Sequence, residues 1–196
     1  MRTTLRTAGV AVRAMLVFTV LLGVGYMLLI TGIGQLALPA QANGSLVRSA
    51  DGAVVGSSLI GQSFQDADGQ ALPQYFQSRP SSAGDGYDAA ASSGSNLGPE
   101  NDDLVAAIEE RRTAAHELDG GGTIPADALT ASASGLDPDI SVANAERQVA
   151  RVAAARGIPS ADVEALVEEH TLPRDLGFLG DPRVNVLELN RALDAR

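Results

Sequence analysis

The sequence has no cysteine, no tryptophan and no lysine in its 196 residues. Without thiols, disulfides and thiolate metal sites are excluded. His116 and His170 are the whole imidazole supply, and neither belongs to a His-x-x-x-His pair, so the ligand set of a zinc site is missing. Each histidine stands near the end of a predicted helix, where an imidazole meets the last carbonyls. Aromatic residues make up 4 % of the chain. The core is therefore expected to rest on Ala, Val, Leu and Ile, and at roughly 25 cal/mol per Å² such small side chains leave a thin margin, which favours reliance on a partner. All 14 basic residues are arginine, against 24 acids, for a formal net charge of −10. A chain this acidic lacks the basic patch that phosphate contact needs, so nucleic acid is not an expected partner.

Catalytic motifs are scarce as well. There is no Walker loop and no Gly-x-Ser-x-Gly elbow. Asp137-Pro138-Asp139-Ile140-Ser141 begins like a calcium loop, but Val142 stands where the turn needs glycine and Gln148 where the bidentate glutamate belongs. Asp137-Pro138 is better taken as a turn feeding an N-cap at Ser141. Gly32-Ile33-Gly34-Gln35-Leu36-Ala37 fits a loose dinucleotide pattern without the preceding strand that would give it meaning.

What the chain does have is a long apolar run. Ala14 to Gln35 carries no charge, and about 22 residues at 1.5 Å each cross roughly 30 Å of hydrocarbon as a helix. Its glycines, Gly23, Gly25, Gly32 and Gly34, are compatible with a spanning helix. Arg2, Arg6 and Arg13 precede it with no acid among them, so the positive-inside rule keeps the N-terminus in the cytoplasm and sends the rest outward. Ala40-Gln41-Ala42 has the small-x-small form of a signal-peptidase site, but the run exceeds the usual 7 to 15 residues of a signal h-region, and a retained anchor is the expectation. Thr19 and Gly23 form a small-xxx-small pair able to admit a neighbouring helix. Beyond the anchor, 11 arginines face all 24 acids, a net charge of −13 that keeps a solvated surface soluble.

The organisation expected is a cytoplasmic N-terminus over 1–13, a transmembrane helix over 14–35, a tether over 36–53 and one extracytoplasmic α+β domain over 54–196, helix-rich with a few short strands. Val54-Val55 and Ser58 to Phe64 are strand candidates, and Asp66-Ala67-Asp68-Gly69 is a turn. Proline at 80 keeps Arg79 on extended backbone. Ser81 to Pro99 is small and polar, long enough for a loop that is either functional or disordered. Helices follow: one with an Asn101 cap, an apolar face at Leu104, Val105 and Ile108, and an end before Gly120; one capped by Ser141, with Ala145, Val149, Val152 and Ala153 on one face and Gly157 at its C-terminus; a shorter stripe at Val163, Leu166 and Val167; and a last helix opened by Asn185 with Glu188 three residues on.

Four ordered blocks carry a resemblance. They are Ser58-Leu59-Ile60-Gly61-Gln62; Tyr75-Phe76 through Arg79-Pro80-Ser81; Ser95-Asn96-Leu97-Gly98-Pro99 with Asn101; and Thr130 through Pro138, continuing past Ile140-Ser141 to Gln148 and Arg151-Val152-Ala153. With Val184-Asn185-Val186-Leu187-Glu188-Leu189-Asn190 at the end, the chain resembles the KdpC family, the small C subunit of the Kdp potassium-transporting ATPase of bacteria. The family usually has histidine where this chain has Asp139, and often glycine at Ala133, so a role needing imidazole at 139 does not carry over. Gln62, Arg79, Asn96, Asn101, Ser134, Asp137, Gln148, Arg151, Asn185 and Asn190 are the residues singled out, either as ties between turns and caps or as partner-facing groups.

The resemblance implies an accessory subunit in the bacterial cell membrane, working with a P-type ATP-hydrolysing subunit, a channel-like potassium-binding subunit and a small helical subunit. Potassium is then carried by a partner, no metal belongs to this chain, and membrane lipid surrounds its anchor. The family is described as a catalytic chaperone that raises the ATP affinity of the hydrolysing subunit. With ATP in the cytoplasm and the domain outside, that effect is expected to be indirect, a coupling free energy passed through the membrane partners. It also implies that Ser81 to Pro99 is ordered, with the Asn96 and Asn101 amides serving local backbone. The alternative is a membrane-anchored extracytoplasmic binding or sensor module. An anchored hydrolase relying on Ser134 ranks last, because no base is placed near any serine.

Overall fold

The apolar run is helical and extends well past its own bounds. In the computed structural model, which describes residues 2–49 and 51–196, α1 (Arg2–Phe18), a π-helical stretch (Thr19–Tyr26) and α2 (Met27–Ala37) follow one another. Together they give a 35-residue helix, Thr3–Ala37, about 52 Å long at 1.5 Å per residue. That exceeds a hydrocarbon core of roughly 30 Å by several turns, and the first turns carry the charges of Arg6 and Arg13. The large apolar residues of this helix are exposed, Leu36 by 88 %. By length and composition it qualifies to cross a membrane.

The π-helical stretch was not anticipated from sequence. It contains Gly23 and Gly25, and Gly23 lies on the face of Thr19, whose Cγ2 would sit 3.8 Å from an added Cβ. Leu38 breaks the helix with φ −135°, and Pro39 opens the short α3 (Pro39–Ala42) at the position where its missing N–H costs nothing.

Contacts divide the chain after Leu46, and Val47–Arg196 form the second unit. Strand β1 (Leu46–Arg48) lies inside the segment read as a tether and pairs with β2 (Val54–Ser57). After a long irregular stretch come α4 (Asp102–Asp119) and α5 (Ala126–Leu129), then β3 (Asp139–Ser141), α6 (Val142–Arg156), α7 (Ser160–Glu169), β4 (Thr171–Leu172), β5 (Arg183–Asn185) and α8 (Val186–Asp194). The three last-named strands form an antiparallel sheet of order β3-β5-β4, with Ile140 opposite Val184 and Thr171 opposite Val184 on the other side.

The caps explain where the helices begin and end. Asn101 Oδ1 accepts the Asp103 amide at 2.8 Å, Ser141 Oγ accepts Asn144 at 3.1 Å and Asn185 Oδ1 accepts Glu188 at 3.1 Å, each satisfying a first-turn donor that the helix itself cannot. Gly157 closes α6 at φ +67°, the left-handed conformation that costs glycine least. His116 Nδ1 meets the Gly120 carbonyl and His170 Nδ1 the Leu166 carbonyl, so both imidazoles serve helix ends.

The core lies between α6, α7, α8 and the sheet. Val149, Val152, Ala153, Val163, Leu166, Val167, Val184, Leu189 and Leu193 are the small aliphatics expected. The aromatic exception is Phe76, fully buried and delivered by an irregular segment instead of a helix or strand. The face Leu104, Val105 and Ile108 on α4 does not join this core; Val105 is half exposed, and α4 flanks the domain.

Candidate functional site

The polar residues of the domain converge on one strap, Pro73 to Arg79, which leaves a turn at Pro73–Gln74 and runs on without regular structure from Phe76. Among the described residues its backbone has no strand neighbour, so its amide groups need side-chain partners if they are to be buried. Two carboxamides supply them in succession. Asn190 on α8 accepts the Phe76 N–H at 2.8 Å and donates to the Phe76 carbonyl at 2.9 Å. Gln148 on α6 accepts the Gln77 N–H at 2.7 Å and donates to the Gln77 carbonyl at 3.1 Å. A primary amide has a donor and an acceptor side by side, so each acts as a short piece of β-ladder and pins one residue of the strap. Both are almost wholly buried.

Arginines complete the fastening. Arg151 Nη1 donates to the carbonyls of Pro73 and Tyr75 at 2.7 and 2.8 Å, and its Nη2 to Gln148 Oε1 at 2.7 Å, which orients the amide. Arg156 donates to the Gln74 carbonyl, pairs with Asp194 at 2.8 Å and lies 5.0 Å above the Tyr75 ring. Gln148, Arg151 and Arg156 stand on one side of α6 at i, i+3 and i+8 spacing, which is why a single helix reaches along the strap from Pro73 to Gln77.

Beneath them sits a buried charge cluster. Asp119, the last residue of α4, pairs with Arg147 at 2.5 Å and Arg151 at 2.6 Å, with side-chain exposures of 4, 10 and 7 %. One carboxylate between two guanidinium groups leaves a positive excess. Arg147 also donates to the Ala115 carbonyl. Asp127 on α5 plays a comparable part nearby, accepting from the Ser141 N–H and Oγ at 2.8 Å each and from Asn144 Nδ2 at 3.1 Å.

At its far end the strap meets a second polar group. Arg79 pairs with Asp137 at 2.8 Å, and Tyr87 donates its hydroxyl to the Arg79 carbonyl. Burial pushes the Tyr87 phenol up to about 12, so it stays protonated as a donor. Asp137 Oδ1 accepts the Asp139 amide, and Asp139 in turn faces Arg183 at 3.1 Å and Asn185 Nδ2 at 3.3 Å. Burial raises the Asp139 carboxyl above its ordinary value and the neighbouring Asp137 adds to it, while Arg183 opposes both. Asn185 Nδ2 also reaches the Ser58 carbonyl. Gln62 donates to the Val55 carbonyl, and its own carbonyl receives Ser78 Oγ.

The remaining sequence candidates are placed apart. Asn96, at φ +53°, donates to the Gly94 carbonyl, and Asn101 caps α4 on the surface. Ser134 Oγ accepts the Leu136 amide and lies 3.5 Å from Ser132 Oγ, the arrangement of a turn. Its carbonyl receives Ser92 Oγ and the Ser93 amide, both at 3.0 Å, so the polar stretch after Ser81 is docked on the chain at 133–135. Ser81 Oγ donates to the Gly135 carbonyl at 2.6 Å. Gly135, at φ +67°, would place a Cβ 2.7 Å from the Ala83 amide nitrogen and the Ser93 carbonyl oxygen, so the docking depends on its bare backbone.

Gln148, Arg151 and Asn190 are thus brought together on the strap, Arg79 with Asp137 at its end, and Gln62 and Asn185 behind it. Asp119, Arg147 and Asp127 were missed in the sequence. For Asp119 a signal exists: an acid in the last turn of a helix opposes the macrodipole, which suggests that something other than the helix holds it there.

Two clefts border the strap. One, of about 420 Å³, is lined by Arg79, Arg111, Arg147, Asp85 and Gln148; the other, of about 500 Å³, by Gln62, Tyr75, Asn190 and Asp194. Among the described residues, the Nε atoms of Arg79 and Arg147 are buried without a hydrogen-bond partner, and no three His, Asp or Glu side chains converge as a metal site would require. Chemically the arrangement fastens backbone and offers cationic lining; it does not pair a nucleophile with a base.

Comparison with known proteins agrees with the resemblance. Residues 8–195 match the family described as KdpC, the K+-transporting ATPase c chain. A potassium-transporting ATPase KdpC subunit of Caulobacter vibrioides (strain NA1000 / CB15N) is 58 % identical over 186 residues, covering 95 % of this chain and 91 % of the relative. The subunit of the same description from Mycobacterium tuberculosis (strain ATCC 25618 / H37Rv) is 56 % identical over 187 residues, covering 94 % and 95 %.

Proposed function

The chain belongs to the KdpC family, the c chain of K+-transporting ATPases, and from that membership we propose that it is a single-pass accessory subunit that raises the ATP affinity of the complex from outside the cytoplasm. Its partners in this reading are a P-type ATP-hydrolysing subunit, a channel-like potassium-binding subunit and a small helical subunit. The potassium path and the ATP site belong to those partners. The effect on ATP is a coupling free energy, the difference in how well this chain holds two states of its neighbours.

The observation that carries the reading is the use made of the polar residues. Gln148, Arg151 and Asn190 are spent on holding the strap, and an exposed apolar helix of membrane length precedes the domain. A rigid, acidic body on a membrane anchor suits a structural ligand of other subunits. Arg6 and Arg13 on the first turns of that helix support a cytoplasmic N-terminus.

The test is co-purification. After mild detergent extraction the chain is expected to travel with a multi-spanning protein and a P-type ATPase, and recovery as a lone monomer would overturn the reading. A second reading, an anchored module for a small anion, is favoured by Arg79 and Arg147, which line the 420 Å³ cleft and whose buried Nε atoms have no hydrogen-bond partner among the described residues. It predicts a phosphate- or sulfate-dependent rise in melting temperature of the isolated full chain, absent in Arg147→Gln.

A further inference from the structure

The domain carries a protruding apolar feature that its own packing does not use. In the loop between β4 and β5, Leu176 is 82 % exposed, Phe178 69 % and Leu179 49 %. The loop is fastened at its base. Asp175 and Leu179 exchange both backbone hydrogen bonds at 2.9 Å, the Gly177 amide reaches the Arg174 carbonyl at 3.0 Å, Arg174 pairs with Asp181 at 2.6 Å and Arg183 with Asp175 at 3.5 Å. Leu176 holds φ at +53°, a left-handed conformation that a bulky side chain disfavours. Strain of this kind is found where a surrounding structure or a ligand makes use of it. The three side chains are thus presented, preorganised, to something outside the domain.

Size and charge limit what that is. The three residues expose the equivalent of two whole side chains, roughly 400 Å² at about 200 Å² each. A specific complex between free proteins buries about 800 Å² on each partner, so this patch alone sustains neither a free heterodimer nor a dimer of this chain. A membrane helix changes the requirement, because it holds the domain at high effective concentration against anything embedded in the same membrane. An anionic lipid surface is a poor alternative. The chain beyond the anchor has 24 acids against 11 arginines, and the arginines flanking the loop are already paired with Asp181 and Asp175, so they do not form a basic rim to meet headgroups.

We propose that Leu176, Phe178 and Leu179 form a docking finger that seats in an apolar groove on the extramembrane surface of a membrane-embedded protein partner. This rests on the subunit reading, which is what puts such a partner within reach. Leu176 and Phe178 are the anchors by exposure, and Arg174, Asp175, Asp181 and Arg183 hold their aim.

The test uses the absence of cysteine. The full chain with Leu179→Cys, which keeps both anchors, is labelled with a polarity-sensitive dye and compared in the detergent-purified complex and alone in phosphatidylethanolamine–phosphatidylglycerol vesicles. The expected result is a blue shift and a severalfold fall in iodide quenching in the complex, with neither change in vesicles. Equal quenching in both settings would overturn the finger, shielding in vesicles without partners would assign it to lipid, and a disulfide joining the introduced thiols of two unlabelled chains would assign it to a second copy. In parallel, the pair Leu176→Ser and Phe178→Ser should leave the melting temperature of the chain unchanged and lower its retention in the complex about tenfold or more; full retention would overturn the proposal. If the native chain fails to co-purify at all, the subunit reading falls first and the finger with it.

Discussion

Replacing Asn190 by leucine keeps the side-chain size close to constant while removing both hydrogen bonds to Phe76. The Phe76 N–H and carbonyl, bonded at 2.8 and 2.9 Å in the native chain, then stay buried without partners. Each such group costs about 1–3 kcal/mol, and the added apolar burial returns about 1–2 kcal/mol. At about 2 kcal/mol for each group the net loss is about 2–3 kcal/mol, or a fall of about 4–12 °C in melting temperature for a domain of this size. The assay is thermal unfolding of the full chain in detergent, followed by circular dichroism. Gln148→Leu should behave alike at Gln77. Because the two amides pin adjacent residues of one strap, the second deletion should cost less than the first, with a coupling of about 1 kcal/mol or more. Single variants within about 1 kcal/mol of native, or strict additivity, would refute the clamp as a unit.

Asp119→Asn should destabilise by about 3–5 kcal/mol, since it leaves Arg147 and Arg151 buried without a counter-charge; a cost equal to that of an exposed pair such as Arg174→Gln would contradict the cluster. Gly135→Ala should cost more than about 2 kcal/mol, because φ +67° and backbone 2.7 Å away both reject a Cβ, whereas Gly121→Ala, with open space around it, should be near neutral. Asp139 has a raised carboxyl in the fold, so its contribution to stability is present at acid pH and is lost as pH climbs through the carboxylate range. Asp139→Asn keeps neighbours Asp137, Arg183 and Asn185 but removes that titration; its stability relative to native should rise with pH in urea unfolding, and a parallel pair of curves would refute the burial argument. Single cysteines at Thr4 and Gly121 report the topology: a membrane-impermeant thiol reagent on intact cells should label Gly121→Cys alone, and labelling of Thr4→Cys alone would invert it.

Local chemistry was legible in the sequence. Asn101, Ser141 and Asn185 cap their helices and Gly157 ends α6 because a cap involves residues two to four apart, and spacing of that kind is visible in one dimension. The long apolar helix was legible for the same reason, though not its π-helical stretch or its extension to Arg2. Gln148 and Asn190 could be singled out as residues, but their partners lie 71 and 114 positions away, and no periodicity announces a strap whose ladder is made of side chains. The sheet was hidden by its size: β3 and β5 are three residues each and β4 two, too short for an alternating pattern. Asp119 required α4 to be seen against α6. The face at Leu104, Val105 and Ile108 lies on the expected helix but is only partly covered, because helical spacing shows which side of a helix is apolar and not whether a core waits for it.

The most direct test of the account is the ATP dependence of the assembled transporter. ATPase activity is titrated with ATP in complexes purified with and without this chain, at matched amounts of the hydrolysing subunit. The half-saturating ATP concentration is expected to fall when the chain is present, and Asn190→Leu, by loosening the strap, to give back part of that gain. An ATP dependence that is the same with and without the chain would contradict it.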